Sequence, residues 1–378
     1  MPRIALITRA LAPYHKAVQE AFADALGPDS ELRLFYPSSF VSVFSRSGTE
    51  PIGPNISTAW IDSIGLSGEV TRFLSKWRSE AFGTQLPSID LWRKLREFDP
   101  DLVWVHELSP YTTAGMMLAK CMGKPVVMSS DVGCSNQHFF PRMVRLWHSL
   151  WGRFADGIIA ATPAARIPLS GEGRPTVEAF HAADSRKWTP REKTSLNSPV
   201  TFVFTGRLIL RKGIDLFMAA SRVLKTRGVK NWQIVLVGAD PDGWAASLVK
   251  ENGLNDCVRL TGQLESEGVQ QELRQADVFV LPSREDTYAA VVHEAACLGL
   301  PLLVSKYAGA SEALVEDGVN GYRLDPKNIT DFADKLEMLC APDLRQRMSR
   351  DSRATAETFS AHQRGPAIRS WMQEHWNV

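Results

Sequence analysis

The stretch Thr205-Gly-Arg-Leu-Ile-Leu-Arg-Lys-Gly213 decides the fold of the second half of this chain. It begins at the last residue of an apolar run, Thr201 to Thr205, that is typical of a buried β-strand. The segment that follows the stretch has apolar residues that recur with helical spacing. A strand, a loop and a helix in this order favour a parallel α/β sheet. The loop then lies at the carboxyl end of its strand, where open parallel sheets bind their ligands.

Two of the basic residues in this loop predict a site for an anion. Arg207 and Lys212 flank a turn that Gly213 closes, and the helix that follows presents backbone amides to the same volume. A guanidinium, an ammonium and helix-terminal amides together suit a diphosphate.

A second stretch, Arg284-Glu-Asp-Thr-Tyr-Ala-Ala-Val-Val-His-Glu294, places acids in an equivalent position. It follows another apolar strand, Ala276 to Leu281. The pattern after it predicts a helix from about Ala289 to Leu298, and Gly299 is the residue type that commonly follows a helix end.

Glu294 lies among apolar residues of this helix. A buried carboxylate without hydrogen-bond donors would cost several kcal/mol, and a ribose diol supplies donors at a suitable spacing. Asp286 lies in the loop about two helical turns earlier, so we expect it to reach a sugar beyond the phosphates. The two stretches together predict a pocket for a nucleoside diphosphate that carries a sugar.

These motifs resemble those of the retaining glycosyltransferases of family 4, which have the GT-B fold. The shared features are Gly-Arg-Leu with a downstream Lys-Gly, and an acid, seven intervening residues and Glu-Ala before a Gly-x-Pro strand. The resemblance covers most of the C-terminal half, in segments at 202–213, 234–238, 276–283, 286–304, 309–312 and 316–322.

By position, the resemblance implies that Arg207 and Lys212 hold the donor diphosphate, that Asp286 holds the hexose and that Glu294 holds the ribose. The implied catalytic group is Arg207, Lys212 and Asp286. The family usually has Glu where this chain has Asp286, and Glu285 precedes it, so both acids remain candidates for the sugar contact. The other donor contacts that the resemblance implies are Gly206, Ser283, Thr287, Tyr288, Ala289 and Ala290.

At 378 residues, the chain exceeds the size at which a single core keeps growing, so we expect two domains. The resemblance implies the GT-B architecture, in which two Rossmann-like, doubly wound parallel-sheet domains face a central cleft. The expected domains are an acceptor-binding domain at 1–190, a nucleotide-sugar-binding domain at 198–355 and a C-terminal helix at 356–378 that crosses back to the first domain. The predicted strands are Ile4 to Thr8, Leu32 to Tyr36, Leu102 to His106, Val126 to Ser130, Gly157 to Ala161, Phe202 to Thr205, Ile234 to Val237, Val258 to Leu260, Val278 to Leu281 and Leu302 to Val304.

Acceptor contacts are expected in the N-terminal half. Its first loop lacks the Gly-Gly pair that many relatives bring to the donor phosphates, so Tyr14 and His15 are assigned to the acceptor. His106 ends one predicted strand and Asp131 directly follows another, and both are also assigned to the acceptor. The alternative is a capping or packing role for His106 and a role in a turn for Asp131.

Composition limits the function further. A net charge of +1 disfavours general nucleic-acid binding, and five scattered cysteines indicate neither a disulfide framework nor a zinc site. We expect a reducing cytoplasmic compartment, because a predicted strand begins almost at the first residue and no apolar run approaches about 20 residues.

Two Asp-Pro-Asp triplets raise the alternative of a divalent metal on the diphosphate. Asp99-Pro-Asp101 precedes a strand and so lies at the wrong end of the sheet, whereas Asp240-Pro-Asp242 follows one. Arg207 and Lys212 already neutralise a diphosphate, so we expect no metal and no cofactor.

The segment from Phe139 to Phe154 contains three arginines and no acid. One interpretation is a core helix in which Met143, Leu146, Leu150 and Trp147 form a stripe. The other is a surface that docks on anionic lipid, which would make the protein peripheral at the inner membrane face.

The sequence therefore predicts transfer of a hexose from a UDP- or GDP-linked donor to an acceptor hydroxyl, with retention of anomeric configuration. The product would be a glycan, glycolipid or polysaccharide. The alternatives are a nucleotide-sugar epimerase of the same fold and a non-catalytic sugar-nucleotide-binding protein. An NAD-dependent oxidoreductase is disfavoured, since no Gly-x-Gly-x-x-Gly follows the first strand.

Overall fold

The computed structural model describes most of the chain as two compact units. Unit 1 comprises Met1–Ala182 and Ala361–Val378, and unit 2 comprises Ala183–Ser360. The described residues are 2–8, 13–38, 55–62, 64–65, 85–130, 142–162, 165, 173–179, 181–190 and 199–378, with backbone only at 13, 14, 64, 65 and 85.

Unit 1 is built on parallel strands. Its strands are β1 Arg3–Ile7, β2 Glu31–Pro37, β3 Ile56–Ile61, β4 Ile64–Gly65, β5 Gln85–Leu86, β6 Leu102–His106, β7 Val126–Ser130, β8 Gly157–Ala160 and β9 Thr176–Glu178. Before the last strands of this unit, the described residues form helices α1 Pro13–Leu26, α2 Ile89–Phe98, α3 Pro110–Cys121 and α4 Arg142–Trp151. Within the described residues, the main sheet has seven strands in the order β3-β2-β1-β6-β7-β8-β9, and β4 and β5 form a separate antiparallel pair.

Alternate side chains of these strands fill a core on each face of the sheet. Val103 and Val105 of β6 join a cluster formed with α2 and α3, whereas Trp104 between them points to the opposite face. There its ring meets Phe22 of α1 edge-on, with ring centroids 5.5 Å apart. Helices therefore cover both faces, as in a doubly wound sheet.

Unit 2 repeats this architecture. Its strands are β10 Val200–Thr205, β11 Trp232–Val237, β12 Val258–Gly262, β13 Val278–Leu281, β14 Leu302–Ser305 and β15 Gly321–Leu324. Its helices are α5 Ile214–Thr226, α6 Trp244–Glu251, α7 Ser266–Gln275, α8 Val291–Cys297, α9 Ala310–Leu314, α10 Ile329–Met338 and α11 Pro342–Thr358. The strands are parallel and lie in the order β12-β11-β10-β13-β14-β15.

The last helix, α12 Ala361–Trp376, packs in unit 1 rather than in unit 2. It lies against α1, where a Cβ on Gly365 would overlap the backbone of Ala21. Near its end, Trp371 and Trp376 fill the space that a side chain at Gly157 of β8 would need. The chain therefore returns to its first unit, and the predicted fold class is confirmed.

The strand order places one switch point in each unit. In unit 2, the chain runs outward from β10 to β12 and then returns to β13 beside β10. In unit 1, β6 pairs with β1 after the chain has formed β2 and β3 on the other side. Crevices outside the carboxyl ends of strands at such points are where open α/β sheets bind ligands.

Two local expectations are wrong. The helix predicted from Ala289 begins at Val291, because Ala289 has a φ of 70°, in the left-handed region. Of the two interpretations of α4, the core stripe is wrong for three of its four residues: the exposed fraction is 64% for Met143 and Leu146 and 48% for Leu150, whereas Trp147 packs against the core cluster.

Candidate functional site

The loop after β10 begins with a backbone conformation that favours glycine. Gly206 has a φ of 144°, and its amide donates to the carbonyl of Val237 on β11 at 2.9 Å. Gly238, which follows β11, also has a φ of 144°, and a Cβ there would overlap the carbonyl oxygen of Gly206. The loops after β10 and β11 therefore touch through their backbones. Arg207 is the next residue, and it is exposed.

The same loop then turns toward the loop after β13. Gly213 has a φ of 71°, and a Cβ at this position would overlap the carbonyl oxygen of Pro282. The ammonium of Lys212 forms an ion pair with the carboxylate of Asp286. Both side chains are mostly buried, at 16% and 10% exposed. Two residues that sequence patterns assign to the donor site are thus in direct contact, 74 positions apart in the chain.

Arg284 holds these two loops together. Its two terminal nitrogens donate to the carboxylate oxygens of Asp215, at 2.6 Å each, and one of them also donates to the carbonyl of Leu210 at 2.9 Å. Its backbone amide donates to the carbonyl of Arg211 at 2.9 Å. This role of Arg284 was not predicted from the sequence. The available signal was an acid in the first turn of α5, three residues after Lys212.

The loop that contains Asp286 lies against the loop after β14. The amide of Asp286 donates to the carbonyl of Tyr307 at 3.1 Å, and its own carbonyl accepts from Gly309 at 3.2 Å. A Cβ on Gly309 would overlap the carbonyl oxygen of Thr287, and the amide of Ala310 donates to the carbonyl of Tyr288 at 2.8 Å. This predicted donor segment is therefore fixed by backbone hydrogen bonds on one side and by Lys212 on the other.

The neighbouring acid has a different environment. Glu285 is partly exposed and makes no ion pair with any described residue, whereas Asp286 is buried beside Lys212. Thr287, Ala289 and Ala290 are partly exposed near this point, and Tyr288 is buried.

Ser283 joins the site from the end of β13. It is fully buried, and its hydroxyl oxygen has no hydrogen-bond partner among the described residues. A buried hydroxyl without a partner costs free energy, so this position suits a group that a ligand would supply.

Glu294 lies in α8, one turn beyond Ala290, whose carbonyl accepts from its amide at 3.3 Å. No described residue donates a hydrogen bond to its carboxylate. Burial of the carboxyl group raises its pKa from 4.5 to about 7. The carboxylate therefore gains from any ligand that brings hydrogen-bond donors.

His293, beside it, has a structural role. Its Nδ1 accepts from the amide of Ala183 at 2.9 Å, and its Nε2 lies 3.0 Å from the carbonyl of Ala356. The ring thus bridges two distant segments of unit 2, and it occupies both of its nitrogens in doing so.

The two Asp-Pro-Asp triplets have structural partners. The carboxylate of Asp240 accepts hydrogen bonds from the amides of Ala245 and Ala246, at 3.1 Å each. It thus provides partners for backbone amides at the start of α6 that have none within the helix. Asp99 ends α2 and pairs with Lys124 at 2.8 Å. Within the described residues, no group of three or more His, Cys, Asp or Glu side chains is arranged to hold a metal ion.

Two of the residues assigned to the acceptor, His15 and His106, lie at the switch point of unit 1. His15 follows β1 in α1, and its ring centroid lies 4.4 Å from that of His106, the last residue of β6. His181 stacks on His15 with centroids 4.9 Å apart. Burial lowers the pKa of His15 well below its usual value and lowers that of His181 to about 3. The side chain of Tyr14 and all of Asp131 lie outside the described residues.

His181 was not predicted from the sequence. It follows β9 and is far in sequence from His15 and His106, and no local sequence pattern indicates that it belongs to this cluster. The structure thus brings together two of the four expected acceptor residues and adds a third imidazole.

Comparison with known proteins gives a family match for the segment that carries this site. Residues 199–341, which carry both loops described above, match the model of the family Glycosyl transferases group 1. The C-terminal part of the chain is therefore similar to this family. This match agrees with the resemblance to glycosyltransferases that the sequence predicts, and membership of family 4 stays a prediction.

A curated relative gives the same indication. Alpha-D-kanosaminyltransferase of Streptomyces kanamyceticus is 30% identical over 217 residues, which cover 53% of this chain and 55% of that protein. The chain thus spans about half the length of this relative.

Solved structures resemble the whole chain. A sucrose-phosphate synthase from Thermosynechococcus elongatus superposes with a TM-score of 0.74 at 15% identity, covering 100% of both chains. An Anabaena protein, HepE, in complex with UDP and glucose, superposes with a TM-score of 0.70 at 15% identity, covering 99% of this chain and 100% of that one. These likenesses show the GT-B fold. No helix among the described residues is both long and apolar enough to cross a membrane.

Proposed function

We propose that the protein transfers a hexose from a nucleoside diphosphate sugar to an acceptor hydroxyl, with retention of anomeric configuration, as a member of family 4. The product would be a glycan, glycolipid or polysaccharide. The contact between Lys212 and Asp286 at the switch point of unit 2 carries the proposal, because it joins the cation assigned to the diphosphate to the acid assigned to the hexose. The relative crystallised with UDP and glucose supports this class of donor.

In this proposal, the cations act on the leaving group. The bond between the anomeric carbon and the β-phosphate oxygen breaks, and the acceptor oxygen bonds on the same face. The acceptor proton passes to an oxygen of the departing phosphate. Arg207 and Lys212 stabilise the charge that grows on the diphosphate, an effect worth about 3 kcal/mol, on the order of a hundredfold in rate, for one such donor. With two cations available, the reaction needs no metal.

The acceptor belongs to unit 1 in this proposal. His15 and His106 already lie together at its switch point, and Tyr14 and Asp131 complete the assignment. The donor base, uridine or guanosine, stays open.

The proposal is tested with the purified protein and a panel of UDP- and GDP-sugars, with and without acceptors and a chelator. We expect one donor to be consumed slowly by hydrolysis and faster with its acceptor, without added metal. The anomeric configuration of the product is read by NMR. Interconversion of the donor sugar without an acceptor would instead identify an epimerase, and binding without turnover would identify a non-catalytic binding protein.

Arg207→Ala separates catalysis from folding. The residue is exposed, so we expect an unchanged melting temperature and a loss of turnover on the order of a hundredfold. Normal turnover in this variant would contradict the assigned mechanism.

A further inference from the structure

Helix α4 is held to unit 1 by one face only. Val144 and His148 are buried, and Trp147 and Trp151 pack against the core cluster of the sheet. The indole nitrogen of Trp147 also donates to the hydroxyl of Thr113 on α3, at 3.2 Å. The helix is therefore anchored and ordered by its inner face.

Its outer face is apolar and exposed. Met143 and Leu146 are each 64% exposed, Leu150 is 48% exposed, and Phe154 in the following turn is 43% exposed. With spacings of three, four and four, they form one ridge along the helix and the turn. Single exposed apolar residues are ordinary on a protein surface, but four aligned on one helix and the turn that follows it mark a contact surface.

Basic side chains flank this ridge without acidic partners. Arg142, Arg145 and Arg153 are exposed and pair with no described acid. From Val132 to Ala155 the sequence contains no Asp or Glu. The next acid, Asp156, is held by Lys120 at 2.6 Å. The surface is therefore apolar with a positive rim.

We propose that this ridge docks on an anionic lipid surface. Met, Leu and Phe side chains enter the boundary between headgroups and acyl chains, while the arginine stems lie along it and their guanidinium groups contact lipid phosphates. Each arginine near such a surface contributes roughly fivefold to partitioning, so the three together contribute on the order of a hundredfold. Because the inner face of α4 is already packed, the helix does not have to fold on binding, which removes an ordering cost.

The alternative occupant of the ridge is a second copy of the chain. A self-complementary interface would bring the arginines of one copy close to those of the other, and no acid lies on this segment to compensate them. Charge complementarity therefore favours lipid.

The test is flotation of the full chain with vesicles, comparing phosphatidylcholine alone with a mixture rich in phosphatidylglycerol. We expect binding to the anionic vesicles only, weaker at high salt because exposed charges are then screened. Leu146→Ser should reduce the bound fraction at least tenfold by removing apolar contact. The double variant Arg142→Gln/Arg145→Gln should lower it roughly twenty-fivefold, at about fivefold for each arginine.

Matched controls lie in unit 2. Met338 is a comparably exposed apolar residue, at 43%, and Arg347 and Arg350 are exposed on α11. Met338→Ser and Arg347→Gln/Arg350→Gln should leave vesicle binding unchanged, and every variant should keep its affinity for nucleoside diphosphate. Equal binding to neutral vesicles, no binding to either kind, or equal losses in the controls would overturn the proposal. So would a dimer in sedimentation that Leu146→Ser converts to monomer.

Discussion

The guanidinium of Arg284 and the carboxylate of Asp215 form a two-pronged hydrogen bond, with both nitrogen–oxygen distances at 2.6 Å. Arg284 follows β13 and Asp215 begins α5, so the pair joins the two loops that flank the switch point of unit 2. One of these loops carries Lys212 and the other carries Asp286. The pair therefore positions two residues of the proposed donor site without belonging to it.

Arg284→Lys tests this positioning role. Lysine keeps the charge but cannot donate a planar fork, so the two loops should lose their fixed spacing. We expect roughly tenfold weaker binding of the donor nucleoside diphosphate by calorimetry, corresponding to about 1.4 kcal/mol, and a lower kcat.

The matched control is Arg259→Lys. Arg259 of β12 donates two hydrogen bonds in the same geometry to the carboxylate of Glu272 on α7, at 2.9 and 2.7 Å. This pair lies at the edge of the same sheet. A purely structural effect would appear equally in both variants as a lower melting temperature. Nucleotide affinity that stays normal in Arg284→Lys, or falls as far in Arg259→Lys, would contradict the positioning role.

Asp286→Asn and Glu285→Gln decide which acid serves the sugar. The carboxylate of Asp286 is buried against Lys212, whereas Glu285 is partly exposed and has no described partner. We therefore expect Asp286→Asn to lower transfer on the order of a hundredfold and Glu285→Gln to lower it less than threefold, measured as kcat/KM for the donor. The reverse order of effects would move the sugar contact to Glu285.

Central strands could be predicted from sequence because they are buried on both faces. Leu102–His106, Val126–Ser130 and Val278–Leu281 have the bounds expected from their apolar runs. Two edge strands were not predicted. Ile56–Ile61 is mostly not buried, and Gly321–Leu324 contains glycine and arginine, so each depends on pairing with a neighbour that lies elsewhere in the chain.

The candidate site, too, has residues that a local sequence pattern predicts and residues that only the folded structure reveals. Arg207 and Lys212 lie in one loop between a strand and a helix, which a local pattern identifies. The partnership of Arg284 with Asp215 spans 69 positions, and the stack of His181 on His15 spans most of unit 1. Only the fold brings such residues together, so a single sequence without its structure does not disclose them.

Ala289→Gly should stabilise unit 2. Ala289 has a φ of 70°, where the methyl group of an L-residue approaches a backbone carbonyl, and relief of this strain is worth about 1 kcal/mol. Urea unfolding measures the gain. Ala290→Gly is the matched control, because Ala290 has a φ of −52° and should instead lose stability or stay unchanged. A loss in both variants would mean that the methyl group of Ala289 contributes more by packing than it costs by strain.

The stability of unit 1 should fall in mild acid because of His181. Burial lowers its pKa from 6.5 to about 3, and this outweighs the opposing effect of Glu107. The unfolded chain therefore binds a proton that the folded chain does not, and stability present above pH 6.5 is lost as the pH falls below it.

His181→Phe keeps a ring against His15 and removes the titration. We expect the free energy of unfolding to lose about 2 kcal/mol less than in the wild type between roughly pH 6.5 and pH 5. His375→Phe, at an exposed position, is the control and should retain the wild-type pH dependence. An identical pH dependence in all three proteins would show that His181 is not the group responsible.

Glu294→Gln should weaken nucleotide binding and strengthen the fold. The pKa of Glu294 is raised from 4.5 to about 7, so the folded protein retains a proton that the unfolded chain loses. Stability is therefore fully present below pH 4.5 and is lost as the pH rises through about 7. At pH 8, the variant avoids a buried charge and should be more stable by up to about 3 kcal/mol in urea unfolding.

Binding of the nucleotide should favour the ionised form of Glu294 over the protonated form that burial favours. If a ribose diol donates to the Glu294 carboxylate, the ionised form gains, and binding near neutral pH should release a proton. Calorimetry with the free nucleoside diphosphate in buffers of different ionisation enthalpy measures that release. We expect it in the wild type and in Glu285→Gln but not in Glu294→Gln, whose affinity should also be at least tenfold lower, since a charge-assisted hydrogen bond is lost. Unchanged affinity and unchanged proton release in Glu294→Gln would place the ribose elsewhere, while its greater stability at pH 8 would still follow from burial alone.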